Sequence, residues 1–194
     1  MKNNMIGYRP TWAQVNLDNL AYNFRQIKKI SAPQTKIMVC VKADAYGHGI
    51  ACVAKKLASC QADYLGVASI DEGIKLRQAK INLPILVLGA ILKKDIAPLF
   101  KYNLLPTLCS WDLALALNNA ARKNAKSIKV HIKVDTGMGR LGVLYEDALE
   151  FIKKANKLKF INIEGIFTHF PCADINRNFT LRQIKLLKHL ISGL

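Results

Sequence analysis

The chain has 194 residues, 51% of them hydrophobic, and 29 Lys+Arg stand against 13 Asp+Glu for a formal net charge of +16. That length and apolar content suffice for one domain with a real core. The longest apolar run, Leu83 to Leu92, is interrupted by Pro84 and Gly89 and falls short of the ~20 residues of a membrane helix. No membrane span is expected, and no signal peptide, since the first ten residues carry no apolar segment. The lysines are spread as pairs such as Lys28-Lys29 and Lys153-Lys154, without an aromatic-interleaved basic stripe, which argues against a nucleic-acid partner. Five cysteines without a C-x-x-C pair suit reduced thiols in the cytoplasm.

Arg9-Pro10-Thr11-Trp12-Ala13 opens into Gln14–Leu17, whose alternation predicts a short strand, and Asp18 is placed to cap a helix bearing Leu20, Phe24 and Ile27. Ile37–Val41 is a continuous apolar run of the kind buried on both faces of a parallel sheet. Lys42 stands at its end, where α/β folds place their chemistry. Gly47 and Gly49 bracket His48 and permit a tight turn, after which Ile50, Val53, Ala54 and Leu57 recur at helical spacing. Alternation sets Lys42 on one face with Cys40 and Met38; Cys40 is read as a small core residue. A desolvated amine at this junction can attack a carbonyl, while the plainer reading is a solvated surface lysine.

The same grammar then repeats. Strands are predicted at Tyr64–Ala68, Ile85–Leu88, Leu104–Leu108, Lys129–Val134 and Ile161–Phe167. Helices are predicted over Ser69–Ala79, Asp95–Tyr102, from Trp111 through Ala120, and Glu146–Asn156. Thr180-Leu181-Arg182-Gln183 has capping-box spacing before a helix striped with Ile184, Leu187 and Ile191. Six β-then-α units point to α/β architecture of the TIM-type (β/α)₈ barrel, incomplete by two units, since such a barrel needs about 250 residues. Residues 1–194 are read as one partial barrel domain, with no second domain.

Two further strand ends carry polar groups. In Val130-His131-Ile132-Lys133-Val134-Asp135, His131, Lys133 and Asp135 share the face opposite the valines and isoleucine, so they would point into the barrel. A buried Lys133 must be paired or neutralised, and an ion pair with Asp135 is the simplest solution. Thr136-Gly137-Met138-Gly139-Arg140-Leu141-Gly142 follows, a glycine-rich loop presenting one arginine whose planar fork suits a carboxylate or a surface salt bridge. Gly165-Ile166-Phe167-Thr168-His169-Phe170 ends in a histidine that is structural or catalytic. Met138 and Phe167 read as packing residues, and no metal site is expected.

The strings Val-Lys-Ala-Asp-Ala-Tyr-Gly-His-Gly (41–49), Lys-Val-Asp-Thr-Gly-Met-Gly-Arg-Leu-Gly (133–142) and Gly-Ile-Phe-Thr-His-Phe (165–170) closely resemble the signatures of alanine racemases. The resemblance implies pyridoxal 5'-phosphate as cofactor, held as a Schiff base by Lys42, with Tyr46 hydrogen-bonded to its phosphate. It implies that Arg140 contacts the substrate carboxylate and the cofactor's phenolic oxygen, and that His169 belongs to a hydrogen-bond chain in the site. It also implies that Lys133 is carbamylated, an anion that orients Arg140. The implied reaction is the interconversion of L-alanine and D-alanine by two bases, supplying D-alanine for peptidoglycan. In full-length members the second base is a tyrosine from the partner subunit's C-terminal β-domain. A homodimer is therefore implied for those members, and association with a C-terminal half for this chain. Since the opposing tyrosine and strands seven and eight fall outside residues 1–194, little or no activity is expected of this polypeptide alone. Other readings are a different pyridoxal-phosphate barrel racemase or decarboxylase, or a non-catalytic cofactor-binding protein.

Overall fold

The computed structural model describes residues 11–194. Asn16 caps the first helix: its Oδ1 accepts hydrogen bonds from the amides of Asp18 and Asn19 at 2.9 and 3.0 Å, and α1 spans Leu17–Ile30. Leu17 is thereby drawn into a helix, and the strand predicted over Gln14–Leu17 does not form. Asp18 sits in the first turn, where its charge suits the helix dipole, rather than at the cap. Arg9 and Pro10 lie outside the described residues.

Strand–helix units follow in order. β1 (Met38–Cys40) leads through the short segment α2 (Lys42–Tyr46) to α3 (Ile50–Ser59), and β2 (Tyr64–Val67) to α4 (Ile70–Gln78). β3 (Ile85–Val87) leads to α5 (Ala97–Lys101), and β4 (Leu105–Leu108) to α6 (Trp111–Lys123). β5 (Ile128–Asp135) continues through β6 (Val143–Leu144) to α7 (Tyr145–Asn156), and β7 (Ile161–Phe167) to α8 (Arg177–Ser192). Every pairing is parallel, in the order β1-β2-β3-β4-β5, with β7 along most of β5 and β6 on its last two residues. This is the TIM-type barrel plan in unclosed form, β1 and β7 being its two edges. β6 has no counterpart in the predicted strands: the loop after β5 folds back so that Val143 pairs with Val134.

The core lies between the sheet and its helices, where Leu57, Leu76, Leu117, Ala148 and Ala155 pack against Leu65, Ile85, Val130 and Val134. Burying one such leucine stabilises by roughly 1.5–3 kcal/mol. Lysines and arginines dispersed along the chain fall in the last turns of α1, α3, α4, α6 and α7, where they complement the helix dipoles.

Three predicted details change. The helix expected over Asp95–Tyr102 divides into a 3₁₀ turn (Lys93–Asp95) and α5, with Pro98 in the first turn of the latter, where its missing N–H costs nothing. α8 begins a turn before the expected capping box: Asn176 caps it by accepting from Phe179 N at 3.0 Å, and Thr180 lies inside. Its buried residues are Gln183 and Leu190, while Ile191 is exposed. Cys40 is exposed rather than in the core, because Val41 takes the buried position and Cys40 faces the inner side of an edge strand beside Met38 and Gly66.

Candidate active site

The first wall of the site is built after β1. Val41 is buried and donates its amide to Gly66 O at 2.8 Å, which fixes where Lys42 begins. Ala43, Asp44, Ala45 and Tyr46 then all take positive φ, between 51° and 55°. Four successive L-residues in a left-handed turn cost on the order of 1–2 kcal/mol each, so the surroundings must hold them there. They do so at both ends. Glu72, in the first turn of α4, accepts from Ala43 N at 2.6 Å and from Ala68 N at 2.7 Å. Asp44 Oδ1 accepts from Ile50 N at 2.8 Å and so joins the turn to α3. Gly47 and Gly49, at φ 83° and 87°, close the segment, and His48 Nδ1 lies 2.8 Å from Ala45 O. Lys42 is thus half-buried at the start of a braced turn, whereas Tyr46 is 61% exposed and shares no hydrogen bond or ion pair with the other candidate residues.

The second wall is β5 and its loop. Val130, Ile132 and Val134 are fully buried beneath the helices, which turns His131, Lys133 and Asp135 to the inner face. Lys133 is buried at 5% exposure with Nζ 5.6 Å from the Phe167 ring centroid. The ion pair predicted between Lys133 and Asp135 is not made. Asp135 instead accepts from the amides of Gly137 (2.8 Å), Gly139 (2.8 Å) and Arg140 (3.2 Å) within its own loop. Its carboxylate serves as the loop's template, and Arg140 is presented on the rim. Further down the strand His131 packs edge-on to Tyr64 and Phe167, with Nε2 3.5 Å from Glu164 Oε2.

The third wall is the end of β7. Thr168 and Thr136 share a hydroxyl hydrogen bond of 2.7 Å that ties β7 to β5 just below His169. Gln183 of α8 reaches the same point.

Lys42, Lys133, Arg140 and His169, from three strand ends, lie near enough for their charges to act on one another. Burial pushes the His169 imidazole below its ordinary value, and the charges of Arg140, Lys133 and Lys42 push it further. Burial likewise pushes the Lys133 ammonium down, with Arg140 and Lys42 adding to it and Cys109 and Asp135 opposing. Among the described residues none of these four groups is in an ion pair. Such a concentration of cations attracts an anionic ligand, and Arg140 has the fork to take a carboxylate or phosphate edge-on.

The family model for the alanine racemase N-terminal domain matches residues 15–194. The chain belongs to this family. It is 48% identical over 187 residues to the alanine racemase of Halothermothrix orenii, an alignment covering 96% of this chain and 49% of that protein. It is 46% identical to the alanine racemase of Carboxydothermus hydrogenoformans, covering 94% of this chain and 50% of that protein. The solved alanine racemase of Clostridium difficile 630 in complex with cycloserine superposes with a TM-score of 0.93 at 40% identity, covering 96% of this chain and 52% of that one. A histidine racemase from Leuconostoc mesenteroides superposes at 0.81 with 25% identity, covering 89% and 46%. The chain thus spans about half the length of the alanine racemases it matches.

Three contributions to this candidate site go beyond what the sequence indicated: the bracing by Glu72, the loop role of Asp135 and the strand-end bonds of Gln183. Asp135 carried a local signal, an acid directly before a glycine-rich loop whose amides need acceptors. Glu72 carried only a helix first-turn signal, and Gln183 imitated a capping box.

Proposed function

We propose that residues 1–194 are a barrel domain contributing the cofactor-binding half of a cytoplasmic alanine racemase, which interconverts L- and D-alanine with pyridoxal 5'-phosphate and supplies D-alanine for peptidoglycan. The observation that carries this reading is the grouping of Lys42, Lys133, Arg140 and His169 within reach of one another's charge, with no carboxylate paired to any of them among the described residues. That donor set fits the group: an aldehyde needs an amine, and a phosphate and a phenolate need cations. Lys42 would hold the cofactor, with Tyr46 and Arg140 at its phosphate and phenolic oxygen. When bound, the cofactor supplies an electron sink that makes the α-proton of an amino acid acidic.

The chain's own groups then divide the work. Arg140 binds and orients the alanine carboxylate, and Lys42 Nζ takes the α-proton of D-alanine or returns it. His169, kept toward its neutral form by burial and by the neighbouring cations, can donate or accept a hydrogen bond without adding charge. Lys133 is the group for carbamylation: burial disfavours its ammonium, and the neutral amine is the form that adds carbon dioxide. The amine nitrogen would bond the carbon of carbon dioxide and release one proton to solvent, leaving a carbamate anion within reach of the Arg140 charge. The opposite proton transfer is assigned to a tyrosine of a partner subunit in a homodimer of the full-length enzyme.

The test is to add pyridoxal phosphate to the polypeptide, fix it with borohydride and map the modified peptide. Label on Lys42, lost in Lys42→Ala, is expected; label on another lysine, or none, refutes the reading. The 194-residue polypeptide alone should racemise alanine barely above background, because its sheet is open; turnover at an ordinary enzyme's rate contradicts that. A second reading, racemisation of a larger amino acid, is favoured by the histidine racemase sharing this fold, and comparing alanine with histidine as substrates in the full-length enzyme separates the two.

A further inference from the structure

We propose that Gln183 is a positioning residue: its amide fastens α8 to the two strand ends that carry Arg140 and His169, and so fixes those groups relative to each other. The proposal rests on reading that strand-end cluster as the reaction site.

Gln183 is a fully buried polar side chain, 0% exposed, on a helix whose other buried residue is Leu190. Its Nε2 donates to Thr136 Oγ1 at 3.1 Å and to His169 O at 3.1 Å. Thr136 opens the loop that presents Arg140, and its hydroxyl is in turn bonded to Thr168, the neighbour of His169. One amide thus touches the segments that follow both strands. Four residues earlier on the same face of α8, Phe179 lies against Gly137, so closely that a Cβ there would stand 2.9 Å from the ring. Phe179 and Gln183 together clamp the loop from outside.

The arrangement has a cost that packing alone does not explain. Gln183 Oε1 is buried without a hydrogen-bond partner among the described residues. An acceptor left so is penalised, and a leucine of similar volume would fill the space without that penalty. What the leucine could not do is make directional bonds to Thr136 and His169. Within the sheet these ends are joined by strand pairing and the Thr136–Thr168 hydroxyl bond; Gln183 bonds both of them to the outer helical layer.

The experiment uses the 194-residue chain without ligand. His169 is followed through its imidazole C–H resonances as pH is varied, and the amides of 137–142 through hydrogen exchange. In Gln183→Leu, the His169 midpoint should rise toward that of an ordinary imidazole as the cations move away, and the loop amides should exchange at least tenfold faster. Leu190→Ala removes a buried side chain of the same helix that makes none of these bonds; it should lower the melting temperature and leave both readouts in place. If Gln183→Leu does not fold, Gln183→Met keeps the length and volume, stays neutral and loses the donor, and should move both readouts in the same direction. An unmoved His169 midpoint in the Gln183 variant, or an equal shift in Leu190→Ala, overturns the proposal. Because neither readout involves pyridoxal phosphate, failure here is distinct from failure of Lys42 to take up the cofactor.

Discussion

Glu72 is the side chain on which the placement of Lys42 depends. The left-handed turn over Ala43–Tyr46 disfavours itself by about 4–8 kcal/mol, at the usual cost for L-residues in that region. Glu72 offsets part of this through two charge-assisted bonds, of 2.6 Å to Ala43 N and 2.7 Å to Ala68 N. Bonds to a charged acceptor contribute roughly 1.5–3 kcal/mol each when buried. Both of these are solvent-accessible, so about 1 kcal/mol each is the better figure, or about 2 kcal/mol for the pair. Glu72→Ala should therefore populate alternative conformations of the turn about thirtyfold more, since 1.4 kcal/mol is a factor of ten. Glu72→Gln keeps one acceptor oxygen but turns an NH₂ toward the other amide, and should lie between the two. The assay is hydrogen exchange at Ala43–Gly47 together with the borohydride-fixed labelling of Lys42 at limiting pyridoxal phosphate. Asp71→Ala, one residue away and without these bonds, should change neither. Wild-type protection and labelling in Glu72→Ala would show that the turn holds itself and that the strain argument is wrong.

The Arg140 loop should respond to acid. Burial alone would raise the Asp135 carboxyl, but the amides of Gly137, Gly139, Arg140 and Met138 outweigh it and hold it below the usual range. A depressed carboxyl stabilises fully above its unfolded value near 3.9 and loses that contribution as pH falls through the folded one. Protection of the loop amides, corrected for the intrinsic pH dependence of exchange, should be flat from pH 8 to 5 and fall below about pH 4; in Asp135→Ala it should already be low at pH 7. Gly142→Ala should disrupt the same loop, since Gly142 has φ 139° and a Cβ would stand 2.7 Å from Asp135 N; a melting temperature equal to wild type would contradict this. Thr107→Val removes a buried hydroxyl that donates to Val87 O at 2.7 Å, and urea unfolding should show a loss of about 1–2 kcal/mol with no change in Lys42 labelling.

How much of this was legible beforehand depends on how far apart the interacting residues lie. The six β/α units, the strand ending before Lys42, the glycines after it and the grouping of His131, Lys133 and Asp135 on one face are written in local periodicity. A strand alternates and a helix repeats every 3.6 residues whatever lies around them. The three motif strings are likewise contiguous, so the family and its candidate residues were readable in one dimension. The misreadings at Gln14–Leu17 and Thr180–Gln183 arose where two local rules competed, a cap against an alternation in the first and a cap against burial in the second.

Tertiary structure decided what holds those residues in place. The turn after Lys42 is left-handed because Glu72, 29 residues away, accepts Ala43's amide. Asp135 is occupied by its loop rather than by Lys133, which leaves a buried amine among cations. Gln183 reaches Thr136 across 47 residues. Hydrogen-bond acceptors are chosen by proximity and direction, which exist only once the chain is packed. A sequence determines which groups are available to a site; the fold determines which of them are left free for a ligand.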